Sequence, residues 1–255
     1  MHHTNRAHPT QPARARTTQA KRALQPRRAA QPVLVALALT MTAALVGCGT
    51  QRPLHIVESS AKRHFDNRDY AAALADYQEY VDRKPGEVRV RYQLAQTYLE
   101  LDQPAKAAEE LTTVYNVDPL NDAYVDARAE ALYRAGQRDR LVVFLQRQTA
   151  ERGRVLDYLR LGKYQQLIGN ADEARTALNI GAKIDRGQTI GPQMALADFY
   201  KAVGDRENEL TRLRMAMYIE PMNQVVWERI RALGEVPGPS LALMPEEAAP
   251  IPGAP

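Results

Sequence analysis

The side chains best suited to chemistry are few and widely scattered. A single cysteine, Cys48, stands at the end of an apolar run. One thiol can make no internal disulfide and no multi-cysteine zinc or iron–sulfur site, so it is inert, reactive or a point of modification. His2, His3 and His8 lie close to the N-terminus, while His55 and His64 are nine residues apart and belong to no H-E-x-x-H arrangement. The phosphate-cradling G-x-x-x-x-G-K-[ST] loop does not occur, and neither does G-x-G-x-x-G or G-x-S-x-G. The acidic pairs Glu109-Glu110 and Glu246-Glu247 are of the kind found on a solvated helix face and in a tail. No catalytic residue, metal ligand or cofactor is assigned on this basis.

Charge invites a different reading. The 255 residues carry 34 Lys and Arg against 30 Asp and Glu, a formal net charge of +4, the sign a nucleic-acid binder carries. Seven of the basic side chains fall in residues 1–47, which have no acidic one, so residues 48–255 carry a formal −3. Their Lys and Arg are interleaved with Asp and Glu, whereas phosphate binding needs a concentrated basic surface. Nucleic acid is therefore not an expected partner. A hydrophobic share of 45% over this length is enough for a real core.

The positive leader has its own logic. Residues 33–46, VLVALALTMTAALV, are 14 apolar or nearly apolar residues after a basic stretch. A membrane span takes about 20 residues, so the length suits the hydrophobic region of a signal peptide, and residues 1–47 read as a targeting segment. Leu45-Val46-Gly47-Cys48 follows directly and resembles the lipobox of bacterial lipoproteins. The resemblance implies that Cys48 carries thioether-linked diacylglycerol, usually with an N-acyl chain, and becomes the mature N-terminus, with 48–54 as a short linker. Several chains make such anchoring stable where one is marginal. In that family an Asp after the cysteine retains the protein at the inner membrane; Gly49 here leans toward the outer membrane. Two features depart from the pattern. The basic region before the apolar run is about 32 residues long, more than usual, and Arg27-Arg28 lacks the apolar residues that follow a twin-arginine signal.

Beyond residue 54 the sequence repeats itself. Ala73 and Ala107 are 34 apart, as are Pro85 and Pro119, and Pro119 to Pro221 is three such steps. Gly136, Gly169 and Gly204 are spaced 33 and 35. Within one unit Arg91, Leu94, Ala95 and Tyr98 fall at i, i+3, i+4 and i+7 and so share a helical face, and Ala107 and Leu111 follow on a second helix. Turn residues interrupt each period, at Asn67-Arg68-Asp69, Asp102-Gln103-Pro104, Gly169-Asn170-Ala171 and Gly204-Asp205-Arg206. No stretch shows sustained alternation of period two, so the fold is expected to be all-α.

This pattern resembles the tetratricopeptide repeat (TPR), with Ala95 at the small site, Tyr98 at the aromatic site and Pro119 closing the second helix. The resemblance implies a TPR-type α-solenoid over 55–234: about five helix-turn-helix repeats and a capping helix built on Val226, Ile230 and Leu233. Trp227 is expected to pack within that cap. The first, fourth and fifth units follow the pattern through Ala61, Tyr77 and Pro85, through Leu161, Gly162 and Leu178, and through Leu196, Ala197 and Pro221. The third departs most. It has Arg128 where the second has Leu94, Leu141 at a small site, which should widen the helix packing, and Gly153 for the proline. The fourth has Arg186 for its proline, and the fifth has Glu209 at its small site. With six prolines, residues 235–255 read as an extended or disordered tail.

In TPR proteins the first helices of successive repeats line a groove that holds a peptide or partner helix. Carried onto this register, the resemblance places Glu58, Lys62, Tyr92, Gln96, Asp126, Glu130, Tyr133, Lys163, Gln166, Asp198 and Lys201 on that face. The set is mixed in charge, unlike the lysine- and asparagine-rich clamp for a terminal carboxylate. Tyr92 and Tyr133 serve either as anchors for a peptide or as covers for neighbouring helices. The expectation is a lipid-anchored, periplasm-facing, non-enzymatic scaffold whose partners are other envelope proteins or peptides, in assembly of an outer-membrane, pilus or export machinery. The alternatives are an envelope enzyme or subunit with a site assembled across repeats, and a soluble TPR protein with a misread start.

Overall fold

The computed structural model describes residues 51–248, so the leader, Leu45, Val46, Gly47 and Cys48 lie outside the described residues. Among the described residues there are eleven α-helices and no strand: α1 Leu54–Asp66, α2 Tyr70–Arg83, α3 Val88–Glu100, α4 Pro104–Val117, α5 Asp122–Arg134, α6 Arg138–Arg152, α7 Val155–Leu167, α8 Ala171–Asp185, α9 Gly191–Ala202, α10 Arg206–Ile219 and α11 Gln224–Ala232. Consecutive helices pack on one another, giving five antiparallel pairs and a final single helix, the arrangement the period implies. None of these helices is long and apolar enough to cross a membrane.

The close approach within each pair rests on small residues. Ala61, Ala95, Ala129 and Ala197 are fully buried, and the fourth repeat has the buried Gly162 at the same place. A β-carbon on Gly162 would lie 2.5 Å from Cγ and Cδ2 of Leu178 on α8, so any larger residue at this crossing must displace that leucine. The third pair shows the opposite case. Leu141 is fully buried on α6 where α2, α4 and α8 have Ala73, Ala107 and Ala174, and α5 and α6 pack much less closely than the other pairs. A leucine at the small site spreads the helices, as expected from its volume.

One turn recurs between the two helices of every repeat. Arg68, Asp102, Gly136, Gly169 and Gly204 all have positive φ, from 53° to 92°. In each, the next N–H reaches back to a carbonyl of the first helix: Asp69 to His64, Gln103 to Tyr98, Gln137 to Leu132, Asn170 to Gln165 and Asp205 to Tyr200, at 2.8–3.0 Å. This is the Schellman closure, which satisfies carbonyls the helix end leaves open. Asp69, Asn121, Asp205 and Asn223 then cap the following helices through their side chains. The second helices followed by Pro85, Pro119 and Pro221 run 14 residues. Without that proline α6 and α8 run 15 and end in the left-handed residues Gly153 and Arg186.

Glu209, the misfit of the fifth repeat, is buried and accepts a hydrogen bond from Arg229 of α11 at 2.9 Å. The polar residue at the small site thus fastens the cap. Trp227 packs at the edge of that cap and donates from Nε1 to the Pro221 carbonyl at 2.7 Å.

The tail differs from the sequence expectation. Residues 235–248 fold back on the last repeats, with single 3₁₀ turns at Pro239–Leu241 and Glu246–Ala248. The Leu243 N–H donates to the Arg214 carbonyl at 3.1 Å, and Arg214 Nε donates to the Leu241 carbonyl at 2.8 Å. Glu247 accepts from Arg212 at 2.7 Å and from Gln193 at 3.2 Å. Pro245 is buried and sits where a β-carbon on Gly187 would be 3.0 Å away. Proline content signals the lack of regular structure correctly but says nothing of these side-chain partners. Residues 249–255 lie outside the described residues.

Candidate functional site

The residues assigned to the first-helix face lie on α1, α3, α5, α7 and α9. Several are tied to the next repeat by contacts at or near the repeat spacing. Asp126 of α5 accepts from Arg160 Nε of α7 at 2.6 Å, and Glu130 of α5 accepts from the Tyr164 hydroxyl at 3.1 Å, each 34 residues on. Tyr92 of α3 lies 5.0 Å, ring to ring, from Tyr124 of α5, and Tyr133 is 5.8 Å from Tyr164. Both tyrosines are half-buried against the core, so they cover the helix junctions. Lys62 is exposed and pairs with Asp66 on its own helix at 2.6 Å, and Glu58 pairs with Arg89 of α3.

Lys163, Gln166 and Asp198 come together with Asp126. They line an open depression of about 280 Å³ between α5, α7 and α9, with Leu156, Leu159, Leu178 and Ala195 below them. Lys62, Tyr92, Gln96, Glu130, Tyr133 and Lys201 are not in its wall. Sequence reasoning missed Arg160 and Leu156, which are. Arg160 follows Asp126 by 34 residues, so a charge comparison at the repeat offset would have paired them. Leu156 is 44% exposed, an apolar side chain left open on the face.

The electrostatics of this wall are fixed by buried pairing. The Arg160 side chain is 2% exposed and the Asp157 carboxylate 0%, and they meet at 3.1 Å. Asp157 also accepts from Arg154, and Asp122 bridges Arg152 and Arg154 at 2.6 Å each. Such a network holds α5, α6 and α7 in register, because removing one partner would leave a buried charge alone. Burial first, then the Glu130 carboxylate as neighbour and hydrogen-bond partner, push the Tyr164 phenol well above its ordinary value. It is therefore a neutral hydrogen-bond donor. Lys163 and Asp198 are both exposed, and Asp198 is paired with Arg229 of α11. His55 is exposed, and His64 lies 3.5 Å from Asp69. Among the described residues no three His, Cys, Asp or Glu side chains are placed to hold a metal.

Residues 64–131 match the tetratricopeptide repeat family model. None of the curated proteins compared matches the chain in sequence. Among solved structures, a crystal structure of the MamA protein is 20% identical, covers 75% of this chain and 98% of its own, and gives a TM-score of 0.50. MamA residues 41 to the end, from Desulfovibrio magneticus, are 14% identical, with 67% and 97% covered and a TM-score of 0.51. A TPR protein of Thermus thermophilus is 19% identical, with 71% and 98% covered and a TM-score of 0.48. The described residues form a TPR-type α-solenoid, within which residues 64–131 match the tetratricopeptide repeat.

Proposed function

We propose that the protein is a lipid-anchored, non-enzymatic adaptor of a bacterial cell envelope. Cys48 holds it to a membrane leaflet, the outer membrane by the Gly49 preference, facing the periplasm. The first-helix face of the solenoid binds a segment of another envelope protein, as part of an outer-membrane, pilus or export assembly. One observation carries the binding part of this reading. The depression between α5, α7 and α9 has an apolar floor with unlike charges exposed at its rim, Lys163 and the Arg229-paired Asp198. That arrangement suits an extended peptide, whose side chains fill the floor while its charged groups are met at the edge. A solenoid presents such a face whatever its partner, so the fold alone does not name one.

The anchor rests on the LVGC sequence after the apolar run. It is tested by labelling cells with palmitate and fractionating membranes. The native chain is expected to take up label and sediment with membranes, and Cys48→Ala to do neither. Label retained by Cys48→Ala would overturn the anchor.

A further inference from the structure

The spread third repeat opens a second cavity, of about 390 Å³, between α4, α5 and α6 and away from the first-helix depression. Arg128 lines it, at the site that Leu94 fills in the second repeat. Its guanidinium carbon lies 4.8 Å from the Tyr115 ring centre and 4.4 Å from that of Phe144. The two rings meet edge to face at 89°, so the cation sits in a corner of aromatic carbon. Its Nε is buried without a hydrogen-bond partner.

Other shielded arginines of the fold are matched by carboxylates: Arg91 by Glu110, Arg152 by Asp122, Arg160 by Asp157, Arg212 by Glu247 and Arg229 by Glu209. Arg128 has no such partner among the described residues. Arg140 and Arg147, which also line the cavity, bring charge of its own sign, and Asp139 shares the wall without pairing with Arg128. Burial, with those two arginines acting in the same direction against Tyr115, lowers its pKa, yet an arginine stays protonated throughout the working range. A shielded cation without an ion-pair partner is costly, and it persists here in an open cavity that two further arginines and one aspartate, Asp139, also line. Beside the mouth, Val143 is 66% exposed.

We propose that this cavity binds a carboxylate carried on a polypeptide, an Asp or Glu side chain of a partner whose neighbouring apolar residue covers Val143. The guanidinium is screened on two sides by the rings, and the edge left open matches two oxygens of a planar carboxylate. The walls are largely carbon, so a dianion such as phosphate would lose more hydration than the one open edge restores. A free small acid would leave Val143 uncovered, whereas a peptide supplies charge and apolar surface together. The site does not depend on the first-helix depression.

The test is an NMR titration of the full chain in detergent micelles with acetyl-Leu-Glu-Leu-amide. The Arg128 Nε–H signal and the amides of Tyr115 and Phe144 are expected to shift and saturate. Acetyl-Leu-Gln-Leu-amide, sodium acetate and inorganic phosphate should bind at least about tenfold more weakly. Arg128→Leu restores the side chain of the second repeat; it should keep or raise Tm and lose the saturable response. Arg128→Lys, which preserves the charge and the fold but not the planar fork, should weaken binding several-fold. The proposal is overturned if the Glu peptide gives no saturable shift, if the Gln peptide or phosphate binds equally well, or if either variant binds like the native chain.

Discussion

Gly162 has the side chain of Leu178 standing where its β-carbon would go, and this single contact sets how closely α7 and α8 approach. Gly162→Ala gains about 1 kcal/mol of helix propensity, but the methyl collides with a fully packed leucine, and overpacking costs about 1–3 kcal/mol. The expected net effect is a loss of about 1 kcal/mol, read from the midpoint of urea denaturation. Gly162 was legible in the sequence as the small site of its unit, because the period places it under Ala129. Arg128 and Glu209 were legible only as misfits. Sequence shows that a large or charged side chain stands at a site reserved for another kind, but not what it meets. For Glu209 the partner is Arg229, 20 residues on, at an offset that the repeat does not supply. Glu209→Ala leaves Arg229 with only the exposed Asp198 and is expected to cost about 2 kcal/mol, with α11 amides exchanging faster than those of α3.

Among the elements, the recurrent left-handed turn explains why three repeats have glycine there, and it marks the two that do not. Arg68 has φ 62° and no side-chain hydrogen bond among the described residues. Arg68→Gly relieves the left-handed strain at the expense of a freer unfolded chain and should stabilise by about 0.5–1 kcal/mol, seen as a raised Tm. The tail strap is the element that composition misjudged. Its prolines are real breaks, but Arg212, Arg214 and Gln193 lie on helices distant in sequence and hold it down. Burial works to raise the Glu247 pKa, yet the Arg212 hydrogen bond, aided by the backbone and Gln193, holds it below the ordinary value of 4.5. A carboxyl lowered on folding contributes stability that is fully present above its unfolded pKa and is lost as pH falls through the folded one. Proteolysis within 235–248 should therefore be slow at neutral pH and should rise as pH falls below about 4.5. Glu247→Gln should make it fast at neutral pH as well. A cleavage rate unchanged in Glu247→Gln would remove this ion pair from the account.

For the molecule as a whole, the period made the architecture readable: a repeat buries its apolar face only against its neighbours, so 34 residues of pattern determine the stack. The first-helix face followed from the same register, which brought Lys163, Gln166 and Asp198 to one depression. It did not distinguish them from Tyr92 and Tyr133, which turn to the helix junctions instead. Exposure of a position depends on how far each pair is rotated against the next, and that rotation arises from individual packing such as the spread third repeat. The central claim is that this face meets a partner while Cys48 holds the protein at a membrane. Its most direct test places a photoreactive residue at position 163 and, as a control, at the exposed position 175 on α8, in cells, with and without Cys48→Ala. The account predicts a defined protein adduct from 163, absent from 175 and lost when Cys48 is replaced. The same adducts from both positions, or an adduct at 163 that survives Cys48→Ala undiminished, would contradict it.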